Sequence, residues 1–456
     1  MIFQIGVVVY GAPPTATGYR RHEQRIMQSM IRLGLSYGDE ITGVRKVPLQ
    51  SAWLFCDECG RKLPIDSDAY RCPSCSGMLQ IGYDYSNSRR TVGRTLLQSR
   101  SKFSMWRYQE LLPVTSDNIV SLGEGFTPLV QADRLGESLG IGQLFLKLEY
   151  TCPTGSFKDR GSSLLLSKAR EVKANTVAID SSGNAAASLA AYSAKAGIPC
   201  YVFAPSYASI GKLTQAIANE AKVVKVEGTR KDTFEAAKMA IAKYGWYYCA
   251  FQVNPFASEG SKTIGYEVCE QTGWQPPDYL VFPVGTGSGL MGCWKGLKES
   301  RELGLVEKLP SMVCVQPEGC SPIARAFKQG KEIVPFEKAQ TIAEGLMISQ
   351  PLKGKHVLSA LTESHGQAET VSDEEILSAA KLLAKFEGVF VEPSSAAALA
   401  GLIKLVNSGK IDRDQKIACI LTGSGLKTLE TYSGAFPEPL TIRPTQNEID
   451  KIATKS

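Results

Sequence analysis

Three times along this chain an apolar run that reads as a buried strand ends in a turn of serine, threonine and glycine, which points to an open, mainly parallel α/β sheet. Val177-Ala178-Ile179-Asp180 leads into Ser181-Ser182-Gly183-Asn184-Ala185 and then an alanine-rich stretch over 186–196 with helical spacing. Tyr279-Leu280-Val281-Phe282-Pro283-Val284 runs into Gly285-Thr286-Gly287-Ser288-Gly289 and a helical pattern over 290–300. Ile417-Ala418-Cys419-Ile420-Leu421 ends in Thr422-Gly423-Ser424-Gly425. A helix start after such a turn leaves backbone N–H groups free to receive an anion, and Asn184 adds a side-chain donor to the first of them. Glycines in the second let the backbone close on a phosphate. Each turn alone also reads as a tight connection between elements.

A fourth segment gives the turns a chemistry. In Ser156-Phe157-Lys158-Asp159-Arg160-Gly161 a lysine, the side chain that can hold an aldehyde as a Schiff base, is bracketed by an aromatic ring and an Asp-Arg pair. On its own the Lys-Asp-Arg triplet reads as solvated charge on a helix face. A lysine and three glycine turns, all at carboxyl ends of parallel strands, together describe a ligand cleft.

Further segments fall in a recognisable order: Leu122-Gly123-Glu124-Gly125-Phe126-Thr127-Pro128-Leu129, Pro153-Thr154-Gly155 before the lysine, Tyr201-Val202-Phe203-Ala204-Pro205, Glu387-Gly388-Val389-Phe390-Val391-Glu392-Pro393, and Thr422-Gly423-Ser424-Gly425-Leu426-Lys427. With them, residues 122–429, about two-thirds of the chain, resemble the fold-type II pyridoxal-phosphate enzymes, and among these most nearly the threonine synthase family. The resemblance implies a tryptophan synthase β-like α/β fold of two doubly wound lobes and pyridoxal 5'-phosphate as cofactor. It implies that Lys158 carries the cofactor and then takes the α-proton of the substrate. Asn184 would meet the cofactor's phenolic oxygen, and Ser181, Ser182 and Gly183 the substrate carboxylate. Gly285, Thr286, Gly287, Ser288 and Gly289 would cradle the cofactor phosphate, Thr422 would face the pyridine nitrogen and Phe157 would pack near the ring. Asp159 and Arg160 are expected to be structural.

The substrate is less determined. The family's usual Asn-Pro-x-Arg segment reads Asn254-Pro255-Phe256-Ala257 here, so the arginine that would clamp a substrate phosphate is absent. Lys262 and Arg160 are the basic residues left to replace it. Thr341-Ile342-Ala343-Glu344-Gly345 resembles a stretch of the threonine and serine dehydratases. A pyridoxal-phosphate lyase acting on a β- or γ-substituted amino acid is expected. The alternatives run from O-phosphohomoserine conversion to threonine, through threonine or serine deamination, to β-replacement of the cysteate or diaminopropionate type. A non-catalytic zinc-ribbon scaffold is the reading from another class.

Cys56-Asp57-Glu58-Cys59 and Cys72-Pro73-Ser74-Cys75, with twelve residues between the two pairs, have the spacing of a tetrahedral thiolate site, so a structural Zn2+ on Cys56, Cys59, Cys72 and Cys75 is expected in a zinc ribbon. The other eight cysteines read as small core residues, with Cys152 open as a substrate contact. The boundaries drawn are an extension of unknown role over 1–50, the ribbon over 51–85, a polar connector over 86–105, the catalytic domain over 106–435 with a small lobe at about 163–250, and a tail over 436–456. Within the extension, residues 5–10 read as a short strand and 20–35 as a basic amphipathic stretch. A net charge of +6 without a long basic run calls for neither nucleic acid nor membrane. A cytoplasmic homodimer or higher homo-oligomer with an amino-acid substrate is the expectation.

Overall fold

The computed structural model describes residues 52–453 apart from Asn87, so the readings made on residues 1–50 lie outside the described residues. Strands β1 (Ala52–Cys56), β2 (Lys62–Pro64) and β3 (Leu79–Tyr83) form an antiparallel sheet in the order β2-β1-β3. Side chains alternate between faces along a strand, and here Leu54, Cys56, Leu79 and Ile81 are buried in one apolar cluster with Met105 and Trp106. Tyr83 donates to Glu259 at 2.6 Å and His356 pairs with Asp57 at 2.8 Å, so this small sheet is fastened to the body at two places. The segment 86–105, expected as a polar connector, holds two short helices, Ser88–Thr91 and Arg94–Gln98. Val92 and Leu97 are buried in the main core, which is why this segment packs rather than hangs in solvent.

The remaining strands are β4 (Leu129–Gln131), β5 (Gln143–Lys147), β6 (Val177–Asp180), β7 (Cys200–Pro205), β8 (Lys222–Val226), β9 (Tyr247–Tyr248), β10 (Tyr279–Pro283), β11 (Ser311–Pro317), β12 (Gln367–Val371) and β13 (Lys416–Ile420). They make a parallel four-stranded sheet, β8-β7-β6-β9, and a six-stranded sheet, β12-β11-β10-β13-β5-β4, in which only β4 runs antiparallel. The central strands are continuous apolar runs because both faces are covered, as Leu280-Val281-Phe282 and Ile417-Ala418-Cys419-Ile420 show. Helices used below are α1 (Lys158–Glu171), α2 (Asn184–Ala196), α3 (Pro255–Gln271), α4 (Ser288–Glu302), α5 (Gly354–Glu363) and α6 (Pro393–Asn407). None of the described helices is long and apolar enough to cross a membrane.

Strand order decides where a ligand can enter. From β10 the chain proceeds to β11 on one side, while β13 pairs on the other, so the loops leaving β10 and β13 diverge and open a crevice. In the smaller sheet β6 lies between β7 and β9 and opens another in the same way. The three serine-glycine turns of the sequence leave β6, β10 and β13.

Helix α1 is fixed by a buried charge network. Arg160 donates to Glu149 at 2.6 and 2.7 Å and to Glu267 at 2.5 and 2.7 Å, and Lys147 adds a contact to Glu267 at 2.7 Å. All four side chains are fully buried, and the two positive charges match the two negative ones. Burial alone would raise the Glu267 carboxyl, but Arg160 and Lys147 hold it down at about 2. Breaking one partner of such a group leaves a buried uncompensated charge. Glu267→Gln should therefore destabilise the protein by about 3 kcal/mol, read from the midpoint of urea unfolding at unchanged slope. A loss under about 1 kcal/mol would show the network to be solvated.

Candidate active site

Lys158 stands in the first turn of α1, held there by its neighbours. The Phe157 N–H donates to the Thr422 carbonyl at 3.0 Å, and Ser156 bridges to Gly423, so the lysine segment is stitched to the loop leaving β13. Thr154 and Ser188 donate to the Asp159 carboxylate at 2.5 to 2.7 Å, which shapes the loop before the helix. The Lys158 ammonium lies 4.3 Å from the Phe157 ring centroid and 5.3 Å from that of Phe251. It forms no ion pair within 4 Å among the described residues. Burial pulls it down to about 8, with Glu392 opposing that shift. An amine so placed is partly unprotonated near neutral pH and can act as nucleophile or base.

Asn184 opens α2 directly after Ser181, Ser182 and Gly183, and its amide donates to both Glu392 oxygens at 3.2 and 3.0 Å. Gly183 is extended, with nothing within 4 Å of where a Cβ would stand, so this turn is open to an incoming group. Glu392, at the start of α6, takes the Gly423 carbonyl on its backbone N–H at 3.0 Å. Burial raises its carboxyl above the usual range, while the Asn184 amide, Lys427 and Lys158 pull it back. The Thr422 hydroxyl, nearly buried, lies 3.1 Å from the Ser395 hydroxyl, which also accepts from the Gly423 N–H at 2.6 Å. Asn184, Lys158, Thr422 and Glu392 thus come together from four segments of the chain, with Phe157 beside the lysine.

The turn after β10 abuts the same place. A Cβ on Gly289 would lie 3.1 Å from the Phe157 ring. On Gly285 it would meet the Gly345 carbonyl at 2.7 Å and on Gly287 the Val357 side chain at 2.7 Å. Gly287 also has φ +95°, which side-chain-bearing residues rarely adopt. Thr286 and Ser288 hydroxyls lie 3.2 Å apart at the start of α4, where free N–H groups point outward. The Ser156 hydroxyl is buried without a hydrogen-bond partner, an orphan of the kind that a bound group satisfies. This cradle, the desolvated lysine and the hydroxyl pair fit a phosphorylated aldehyde cofactor.

Other expected roles change. Ala257 is fully buried in the apolar cluster that holds Phe251 and Leu164, so an arginine there would be a buried charge within that cluster. Arg160 belongs wholly to the network around Glu149 and Glu267, and Lys262 pairs with Glu259 at 2.8 Å and Glu299 at 3.1 Å. Neither cation is free to clamp a substrate phosphate. Burial pushes the Cys152 thiol well above its usual range, so it stays un-ionised. Glu392 stands in the sequence only as part of a motif, and Ser395, Phe251 and Lys353 are not among the residues the motifs single out. The run Glu392-Pro393-Ser394-Ser395 opening an otherwise apolar helix is the signal for Glu392 and Ser395.

Away from the cleft, the sulfurs of Cys56, Cys59, Cys72 and Cys75 lie within 4.8 Å of one another. Two knuckles, one after β1 and one before β3, bring them together, and the donor set suits a tetrahedral soft-metal site.

Residues 120–423 match the family model described as pyridoxal-phosphate dependent enzyme. The threonine synthase of Methanocaldococcus jannaschii is 43% identical over 400 residues, which span 87% of this chain and 98% of that protein. The threonine synthase of Methanosarcina acetivorans is 41% identical across 85% of this chain and 95% of that one. Among solved structures, a threonine deaminase of Solanum lycopersicum superposes with TM-score 0.60 at 23% identity, covering 68% of this chain and 82% of that one. A serine racemase of Dictyostelium discoideum does so with TM-score 0.57 at 27% identity, covering 66% and 92%.

The Lys158 amine provides a direct check on the desolvated cleft. In cofactor-free protein carrying 13C-methylated lysines, the resonance lost in Lys158→Arg should titrate near pH 8, charged below and neutral above. A midpoint near the ordinary lysine value would mean that the cleft is wet.

Proposed function

The chain belongs to the pyridoxal-phosphate dependent enzymes and, within them, to the threonine synthase family; on that premise we propose that it converts O-phosphohomoserine to threonine. It is a pyridoxal-phosphate-dependent lyase. The observation that carries the choice of product is the 43% identity that runs through 98% of a threonine synthase's length. The solved deaminase and racemase share the fold across a smaller part of this chain.

Bound in the cleft, the cofactor supplies an aldehyde that takes up amino groups and a ring that withdraws electrons, so that hydrogens near the attached carbon become acidic. The chain's residues do the rest. Lys158 would hold the aldehyde, and its lowered pKa suits it to accept the substrate's α-proton as a base at working pH. The 285–289 turn holds the cofactor phosphate on backbone N–H groups. Ser181, Ser182 and Gly183 would receive the substrate carboxylate, Ser181 through its hydroxyl because its N–H already donates to the Phe203 carbonyl at 2.9 Å. Asn184 orients the cofactor's phenolic oxygen, and Glu392 holds the Asn184 amide in place for that contact. Thr422, backed by Ser395, would offer a neutral hydroxyl to the ring nitrogen and would not force a proton onto it. This favours elimination and replacement over transamination.

We further assign the four cysteines a structural Zn2+. Thiolates close together repel unless a cation joins them, and the knuckle stands on a three-stranded sheet with few core residues of its own.

Two outcomes follow. Purified enzyme given O-phosphohomoserine should release phosphate and threonine in equal amounts, and Lys158→Ala should lose at least about 10³-fold in turnover. Keto-acid formation from threonine or serine, with no threonine from O-phosphohomoserine, would make it an ammonia-lyase. Metal analysis should find about one zinc per chain. Cys59→Ser should lower thermal stability and leave the lysine-bound cofactor absorbance in place. Fully active metal-free protein would overturn the zinc site.

A further inference from the structure

Lys353 stands directly before α5 with 1% of its surface exposed. Its ammonium donates to the Ser258 hydroxyl at 2.5 Å and the Phe251 carbonyl at 3.1 Å, both uncharged. No carboxylate lies within ion-pair distance of it among the described residues. The other cations with at most 1% of their surface exposed differ: Arg160, Lys147, Lys262 and Lys168 each touch a carboxylate. A buried ammonium without a counter-anion is costly, so it either gives up its proton or is stabilised by an anion that binds beside it.

The surroundings indicate which anion. The Lys353 backbone lines the glycine turn after β10, since a Cβ on Gly287 would meet the Lys353 carbonyl at 3.3 Å and its Cβ at 3.4 Å. The Ser288 hydroxyl of that turn donates to the same Phe251 carbonyl as Lys353, at 3.1 Å. The ammonium therefore stands beside the free N–H groups of α4, on the side of the cleft facing α3. The turn itself carries no charge, and backbone dipoles alone balance little of a phosphate dianion.

We propose that Lys353 is the counter-ion of a phosphate monoester in the cleft, supplying the positive charge that the 285–289 turn lacks. The pyridoxal phosphate ester is one source of that group and the phosphate of the substrate is the other. Burial and the neighbouring Lys158 pull the free ammonium down to about 7, while Glu259 and Asp57 oppose this; a dianion alongside would restore its charge. The cofactor source rests only on membership in the pyridoxal-phosphate family. The substrate source rests also on O-phosphohomoserine being the substrate, and threonine formation is scored separately.

The test titrates cofactor-free wild type, Lys353→Met and Lys353→Gln with pyridoxal phosphate and with pyridoxal, which lacks the ester. Binding is followed by absorbance of the lysine-bound cofactor. The glutamine variant retains a donor for Ser258 and Phe251, so the comparison survives if the methionine variant does not fold. Loss of the charge should weaken pyridoxal phosphate about 30-fold and leave pyridoxal within about threefold, which places the cofactor ester at Lys353. Unchanged cofactor affinity with a KM for O-phosphohomoserine raised about tenfold or more would place the substrate phosphate there instead. Equal weakening of pyridoxal phosphate and pyridoxal, or no change in either affinity or KM, would overturn the proposal.

Discussion

Everything the cleft does depends on the buried pairing of Arg160 with Glu149 and Glu267. Arg160 is two residues from Lys158 on the same helix turn, and its guanidinium reaches across to the end of β5 and into α3. A planar fork bound by two carboxylates has little freedom to rotate, so it fixes the first turn of α1 against both the sheet and the neighbouring helix. Gly260 of α3 allows the close approach, since a side chain there would run into the Arg160 carbonyl. Lys158 can then lie in an apolar setting between Phe157 and Phe251 without the helix end yielding to solvent it.

Electrostatics in the cleft follow from that placement. The charge that Arg160 and Lys147 carry is cancelled locally, so the cleft feels chiefly Lys158, Lys353, Lys427 and Glu392. Lys158, Lys353 and Lys427 at the diverging ends of β10 and β13, none of them in an ion pair among the described residues, suit ligands bearing carboxylate and phosphate groups. Each lysine is pulled below its ordinary range by burial, and anions entering the cleft reverse that pull. Affinity for anions and reactivity of the amine therefore share one cause.

Much of this was legible before any coordinates. Buried parallel strands announce themselves as uninterrupted apolar runs, and three turns of small residues after such runs, with a lysine segment beside them, mark a cleft where one turn alone would not, so β6, β10, β13 and the turns after them are legible in the sequence. Lys158 stood out because an aromatic residue and an Asp-Arg pair flank it. The paired cysteines declared their cluster by spacing alone. Other features had no local signal. Lys353 is one lysine in Leu352-Lys353-Gly354-Lys355, and only the tertiary fold buries it against Ser258. Ala257 reads as the place of a missing phosphate clamp because the sequence cannot say which side of α3 faces the core. Lys262 and Arg160 looked available because their carboxylate partners lie far away in the chain.

On the proposed function the cleft's chemistry passes through one desolvated lysine at the head of α1. Borohydride reduction of the cofactor-loaded enzyme, followed by proteolysis and mass mapping, tests it most directly, because reduction fixes the cofactor wherever it is attached. The account predicts a single modified site, Lys158. Modification at Lys353, Lys427 or any other lysine in its place would contradict it.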